Sequence, residues 1–188
     1  MKNDVSLNQA YSLLHPRPVV LICTQDKNGK INVMSCAWIT PVSDEPPLVA
    51  MSLWAKGYTH KIIDETKEFT VNIPSSKLIE QVWVAGTKSG SKVDKMKTLN
   101  LKFTPSKTVL PPSIEECIGV LECKIKERIL LNEQILYIAE ILRAYAEETL
   151  FKNGIWIEEA NILLHTGGKV FSTPKTIKKG IGVQNLPK

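Results

Sequence analysis

Histidine is scarce. Only His15, His60 and His165 occur in 188 residues, and they lie far apart. Neither zinc-finger spacing nor a His-Glu-x-x-His run is present, so no histidine-built metal centre is expected. Serine- or cysteine-nucleophile chemistry would have little base to work with, and no Gly-x-Ser-x-Gly elbow occurs. The four cysteines, Cys23, Cys36, Cys117 and Cys123, form no Cys-x-x-Cys pair and sit in apolar or alternating segments. Buried free thiols in a reducing compartment are expected, with a disulfide as the less supported alternative. Aromatic residues make up only 6%. The lysines are not interleaved with them along a strand, as a nucleic-acid stacking platform requires. No apolar run approaches the roughly 20 residues of a membrane helix, and the first six residues lead into no signal-peptide core. A cytoplasmic protein is expected, with neither a membrane nor a nucleic acid as partner. A Walker-type loop is absent. Gly180-Ile181-Gly182 lacks the strand–turn–helix context of a dinucleotide fingerprint.

What is present suits one folded domain. The chain is 43% hydrophobic and 23% charged, with a formal net charge of +5. That charge is unevenly spread. Residues 77–107 hold seven basic and two acidic side chains, whereas 108–159 hold five basic and ten acidic. The last twenty residues hold five lysines and no acid. We therefore expect a domain over residues 1–173 and a basic C-terminal extension over 174–188.

The hydrophobic pattern predicts mostly strands. Val19 to Thr24 and Ile31 to Trp38 flank Asp26-Lys27-Asn28-Gly29-Lys30, and Asn-Gly is a tight-turn signal, so a hairpin follows. Residues 41–47 read as a loop because of Pro46-Pro47. Leu48 to Leu53 and Glu68 to Ile73 read as strands. Between them, residues 59–65 suit a short helix with Thr59 as N-cap. Ser75 can cap a helix running to about Ala85, and residues 93–99 suit another. Ile118 to Ile129 and Gln134 to Ala146 alternate over long stretches around a turn at 130–133. The expected fold is mainly β with short helices: a strongly coiled antiparallel sheet or barrel.

Polar groups cluster just after these apolar strands. Hydroxyls, amide N–H groups and lysines can hold a phosphate, while Met34, Met51 or Trp54 can cover the face of a heterocycle. The order and spacing resemble the flavin reductase-like group with the FMN-binding split-barrel fold, which includes the flavoredoxins. The resemblance runs from about Arg17 to Phe171. Its markers are Arg17-Pro18-Val19-Val20, Gly29-Lys30-Ile31-Asn32, Trp38, Pro41-Val42-Ser43, Pro46-Pro47-Leu48, and Ser52 with Thr59. Then follow Glu68-Phe69-Thr70-Val71-Asn72-Ile73-Pro74, Ser89-Gly90, Asp94-Lys95, Leu121-Glu122-Cys123, Leu164-His165 and Gly167-Gly168-Lys169.

The resemblance implies a homodimer with FMN near the subunit interface. Met34, Ser35, Cys36 and Ala37 would line the flavin ring through backbone groups. Ser52, Leu53 and Thr59 would approach the ribityl phosphate, with His60 beside it. Asn72 and Pro74 would form another wall. Ser89, Lys92 and Asp94 would lie at the outer edge or reach in from the partner. Many relatives carry Arg two residues before the matching Thr. Here that position is Gly57, and Lys56 or Lys92 is the expected substitute. The implied activity is electron transfer from NAD(P)H, through bound FMN, to a flavin, a ferric compound or a redox partner protein. A non-enzymatic FMN carrier or sensor is the alternative. No side chain is nominated as catalytic, because the flavin carries the chemistry.

Overall fold

The computed structural model describes residues 1–92 and 94–175. The expected hairpin forms between Val20–Gln25 and Ile31–Cys36. The Asp26 carboxylate accepts from the amides of Asn28 and Lys30, both at 2.9 Å. Gly29 closes the turn at φ 82°, a left-handed conformation that glycine adopts without a Cβ clash.

This hairpin belongs to a seven-stranded antiparallel sheet. Across the sheet the order is Ile31–Cys36, Val20–Gln25, Glu68–Ile73, Gly119–Leu131, Gln134–Ala146, Pro47–Trp54 and Ile39–Asp44. The two long strands have 13 residues each and turn at Asn132, whose φ is 52°. Their register shifts between Ile138 and Ala139 and again between Ile141 and Arg143. Such irregularities sharpen twist and let a sheet coil. Coiling is visible in the core: Cys36 from one edge strand and Ile39 from the other pack on the same cluster, with Ile22, Met51, Phe69, Ile135 and Tyr137.

The opposite face of the hairpin is also covered. Leu21, Cys23 and Val33 pack with Val82 and Ala85 of α2 (Ile79–Thr87) and Leu99 of α3 (Lys95–Leu99). Val20 to Cys23 are therefore buried on both faces, which explains an unbroken apolar run where a one-sided strand would alternate. α2 approaches the Ile31–Cys36 strand closely. A Cβ on Gly86 would strike the hydroxyl of Ser35, so this helical position requires glycine as long as Ser35 keeps its rotamer.

Several expectations are corrected. Residues 41–47 are not a loop: Ile39–Asp44 is a strand, paired with Pro47–Trp54. It lies at the sheet edge, where Pro41 needs no ladder donor and a register shift follows it. α1 (Thr59–Thr66) is capped at Tyr58 rather than Thr59, and without a side-chain bond. Ser75 makes no side-chain cap; a short 3-10 turn at Ser76–Leu78 leads into α2 instead. α3 starts at Lys95, with the Asp94 carboxylate accepting from the Met96 amide at 3.2 Å; the expected start at Val93 lies outside the described residues. A 3-10 segment at Leu7–Leu14 with no buried residue was not anticipated. Nor was the terminal hairpin of Leu164–Gly167 and Val170–Ser172, which pairs with Arg17–Pro18. Of the extension expected over 174–188, residues 176–188 lie outside the described residues.

Glu122 departs from the alternation most informatively. It is fully buried although its neighbour Lys124 is exposed. Its carboxylate accepts from the Lys107 amide, from the Thr108 amide and hydroxyl (both 2.6 Å), and from Arg143 at 2.9 Å. Burial alone would raise its pKa, but the bonds from Thr108, Arg143 and Lys107 outweigh that and hold it below the usual carboxylate range.

Two outcomes are expected. Glu122→Gln should lower stability by about 2–3 kcal/mol at neutral pH, because it weakens a buried, charge-assisted network. Because the folded pKa is depressed, this stabilisation is present above the unfolded value of about 4.3 and lost as pH falls through the folded one. Urea midpoints of the two proteins should therefore converge in acid. Gly86→Ala should cost about 1 kcal/mol by displacing the Ser35 side chain. Adding Ser35→Ala should recover most of that loss in a double-mutant cycle.

Candidate functional site

A cavity of about 450 Å³ opens beside the hairpin. Five pieces of chain wall it. The Ile31–Cys36 strand supplies Asn32 and Met34. The connection into α1 supplies Trp54, Lys56, Gly57, Tyr58, Thr59 and Lys61. The end of α2 supplies Ala85, Gly86 and Thr87. The following loop supplies Lys88 to Lys92, and Lys95 of α3 completes it. The volume is within the usual range for a small-molecule site.

The lining carries five lysines and no aspartate or glutamate. Lys56 is partly spent on an exposed ion pair with Glu133 at 2.7 Å. Lys95 is 5% exposed and donates to the carbonyls of Val33 at 2.7 Å and Ala85 at 3.0 Å. Desolvation of its ammonium pushes the pKa down to about 8. Asn32 and Thr59 are buried at the base, where the Asn32 amide donates to the Thr59 hydroxyl at 3.0 Å. Thr59 thus orients the first turn of α1 against the strand. Gly90 sits directly on Asn32, leaving no room for a side chain there.

A second hollow of about 210 Å³ shares Gly86 and Thr87 with the first. It is lined by Ser35, Ala37, Trp83 and, from the terminal hairpin, His165 and Phe171. A groove on the far side of the loop shares Gly90, Ser91 and Lys92 with the cavity and contains Asp94.

The expected site residues divide accordingly. Met34, Trp54, Lys56, Thr59, Ser89 and Lys92 line the cavity; Ser35 and Ala37 line the second hollow. The structure does not bring the rest to either space. Cys36, Met51 and Leu53 are in the core, where burial pushes the Cys36 thiol up to about 11. Ser52 is half-buried on its strand, with its amide donating to the Trp38 carbonyl. His60 turns toward Asp64, with Nδ1 3.6 Å from the carboxylate, and away from the cavity. Asn72 is a buried strut: its side-chain amide donates to Leu21 and Thr70, and its carbonyl accepts from Ile114. Pro74 accepts from the Leu163 amide through its carbonyl. Lys61, Tyr58, Thr87 and Lys88 were not singled out as cofactor contacts, and neither were Trp83 and His165. The concentration of lysines in 77–107 was the visible signal for Lys88 and Lys95. Nothing local marks Trp83 or His165, because the topology brings them together.

The comparisons agree with this architecture. The family described as flavin reductase like domain matches residues 12–174. An uncharacterised protein of Archaeoglobus fulgidus is 37% identical over 145 residues, covering 77% of this chain and 81% of that one. A second, from Pyrococcus abyssi, is 30% identical over 165 residues, covering 88% and 94%. Among solved structures, the flavoredoxin of Desulfovibrio vulgaris superposes with a TM-score of 0.85 at 26% identity, covering 96% of this chain and 97% of that one. The flavoredoxin of Methanosarcina acetivorans does so with a TM-score of 0.85 at 27% identity, covering 96% and 95%. With the family match spanning most of its length, this split-barrel chain belongs to the flavin reductase-like family.

Proposed function

We propose that this protein is a flavoprotein oxidoreductase that holds FMN in the lysine-lined cavity. In this reading it passes electrons from NAD(P)H to a flavin, a ferric compound or a redox partner protein. The observation that carries the reading is the cavity lining itself: five lysines beside the hydroxyls of Thr59, Ser89 and Ser91, with no carboxylate among the lining residues. That donor set fits a phosphate dianion. Met34, Trp54 and Tyr58 add apolar surface for a planar ring. The flavoredoxins above support the same ligand class.

When bound, FMN would supply the redox chemistry of hydride and electron transfer. The chain's own groups do the rest. Lys92, Ser89 and Thr59 bind and orient the anionic end. Gly86, which lines both the cavity and the second hollow, lets α2 approach Ser35 closely, and Ser35 offers a hydroxyl to that hollow. Val82 and Phe171 give that hollow apolar walls. A homodimer completes the reading. Trp38, Val42 and Leu130 are exposed large apolar side chains of the kind a second subunit would cover.

Purified protein should be yellow or become so with FMN, and dithionite should bleach it. It should oxidise NADH or NADPH when given free flavin or a ferric acceptor. Flavin binding without such turnover would instead identify a carrier or sensor, and no flavin uptake would overturn the proposal. Lys92 is exposed, so Lys92→Ala should weaken FMN binding by about 2- to 5-fold without moving the urea midpoint. Wild-type affinity should fall as salt rises.

A further inference from the structure

Lys95 is the one cavity lysine withdrawn from solvent. Its side chain reaches back from α3 and ties two elements together: Val33 in the first hairpin, and Ala85 in the last turn of α2. Carbonyls of a helix's last turn lack intrahelical partners, and a cation there is favoured by the helix dipole. Both bonds are nonetheless to neutral oxygens. Among the described residues, no carboxylate forms an ion pair with this ammonium. Asp94 is its sequence neighbour, but that carboxylate is exposed, accepts from the Met96 amide and lies 4.0 Å from Lys97. The other titratable groups sharing its surroundings are the Tyr58 phenol and Lys30, Lys56, Lys61, Lys88 and Lys92. The five lysines are cations, and they add to the penalty on a buried charge rather than offsetting it.

We propose that Lys95 is a positioning residue that selects a phosphorylated flavin over its unphosphorylated form, and that it takes up a solvent proton as the phosphate enters the cavity. The inference rests on the flavin reading above. A buried ammonium with only neutral partners is an incomplete pair, and a phosphate dianion completes it. Binding and protonation are then linked: the anion raises the proton affinity of Nζ, and the protonated lysine raises the affinity for the anion. No bond to the ligand is made or broken; one proton moves from solvent to nitrogen.

The linkage is measurable where free Lys95 is largely neutral. With a pKa of about 8 in the ligand-free protein, most of it is neutral at pH 8.5. Restoring the ordinary value of about 10.4 would take up roughly 0.7 proton per site. The phosphate is already a dianion there, since its second pKa is about 6.

Calorimetric titration at pH 8.5, in two buffers of different ionisation enthalpy, tests this on the full chain. FMN should bind with uptake of roughly 0.7 proton, and riboflavin with almost none. Lys95→Arg stays charged at this pH, so it should bind FMN without proton uptake and keep the preference for FMN within about 3-fold. Lys95→Met should reduce the FMN-over-riboflavin preference by about 10-fold. FMN binding to the wild type without proton uptake would overturn the inference and leave the flavin reading intact. So would equal losses of FMN and riboflavin affinity in Lys95→Met, which would mark a purely structural strut. Failure of both flavins to bind would overturn the flavin reading and this inference with it.

Discussion

Leu21, Cys23 and Val33 press outward onto α2 and α3, while Val20, Ile22 and Cys36 press inward into the coiled sheet. This double packing of one hairpin is the constraint on which the rest depends. A strand with one apolar face can slip at the cost of exposing that face. A strand loaded on both faces would have to exchange two differently shaped interfaces at once, so its register is fixed more firmly. Everything that lines the cavity is referred to this hairpin. Asn32 and Met34 extend from it, Thr59 is bonded to it, Gly90 rests on it, and Lys95 reaches a carbonyl within it.

The electrostatics follow from the same scaffold. The cationic lining comes from the β-strand–α1 connection, the loop after α2, and α3. Like charges gathered in this way repel, so their proximity is imposed by packing elsewhere and is not self-stabilising. The acidic groups that balance them overall are concentrated in residues 108–159. There Glu122 is locked into its own network with Arg143 and Thr108. The near-neutral domain is thus polarised internally, and the cavity keeps its positive potential.

Much of the fold was legible because period-two patterns reflect burial directly. The long strands at 119–131 and 134–146 were visible in this way, and the first hairpin through its Asn-Gly turn between two apolar runs. Pro46-Pro47 misled because the pair occupies only the turn and the first position of Pro47–Trp54, leaving Ile39–Asp44 free to pair as an edge strand that tolerates Pro41. Thr59 looked like a cap because its residue type favours caps, yet its hydroxyl oxygen accepts from Asn32, 27 residues earlier, and its O–H stays free to donate. The site was legible by segment more than by residue. Alternation tells which strand approaches a ligand but not which of two buried faces does so. The side chains of Cys36, Met51 and Leu53 pack inward, and that of Asn72 braces Leu21, Thr70 and Ile114. Trp83 and His165 line one hollow across 82 residues of chain, a juxtaposition no local pattern encodes.

The four cysteines are all free and buried. Burial pushes the thiols of Cys23 and Cys123 up to about 12, and that of Cys117 higher still. Thiolate, not thiol, is the reactive species toward peroxides, disulfides and alkylating agents. At neutral pH each sulfur is chemically quiet and physically shielded. The protein can therefore pass between oxidising and reducing surroundings without acquiring mixed disulfides or a thiol-based memory of its exposure.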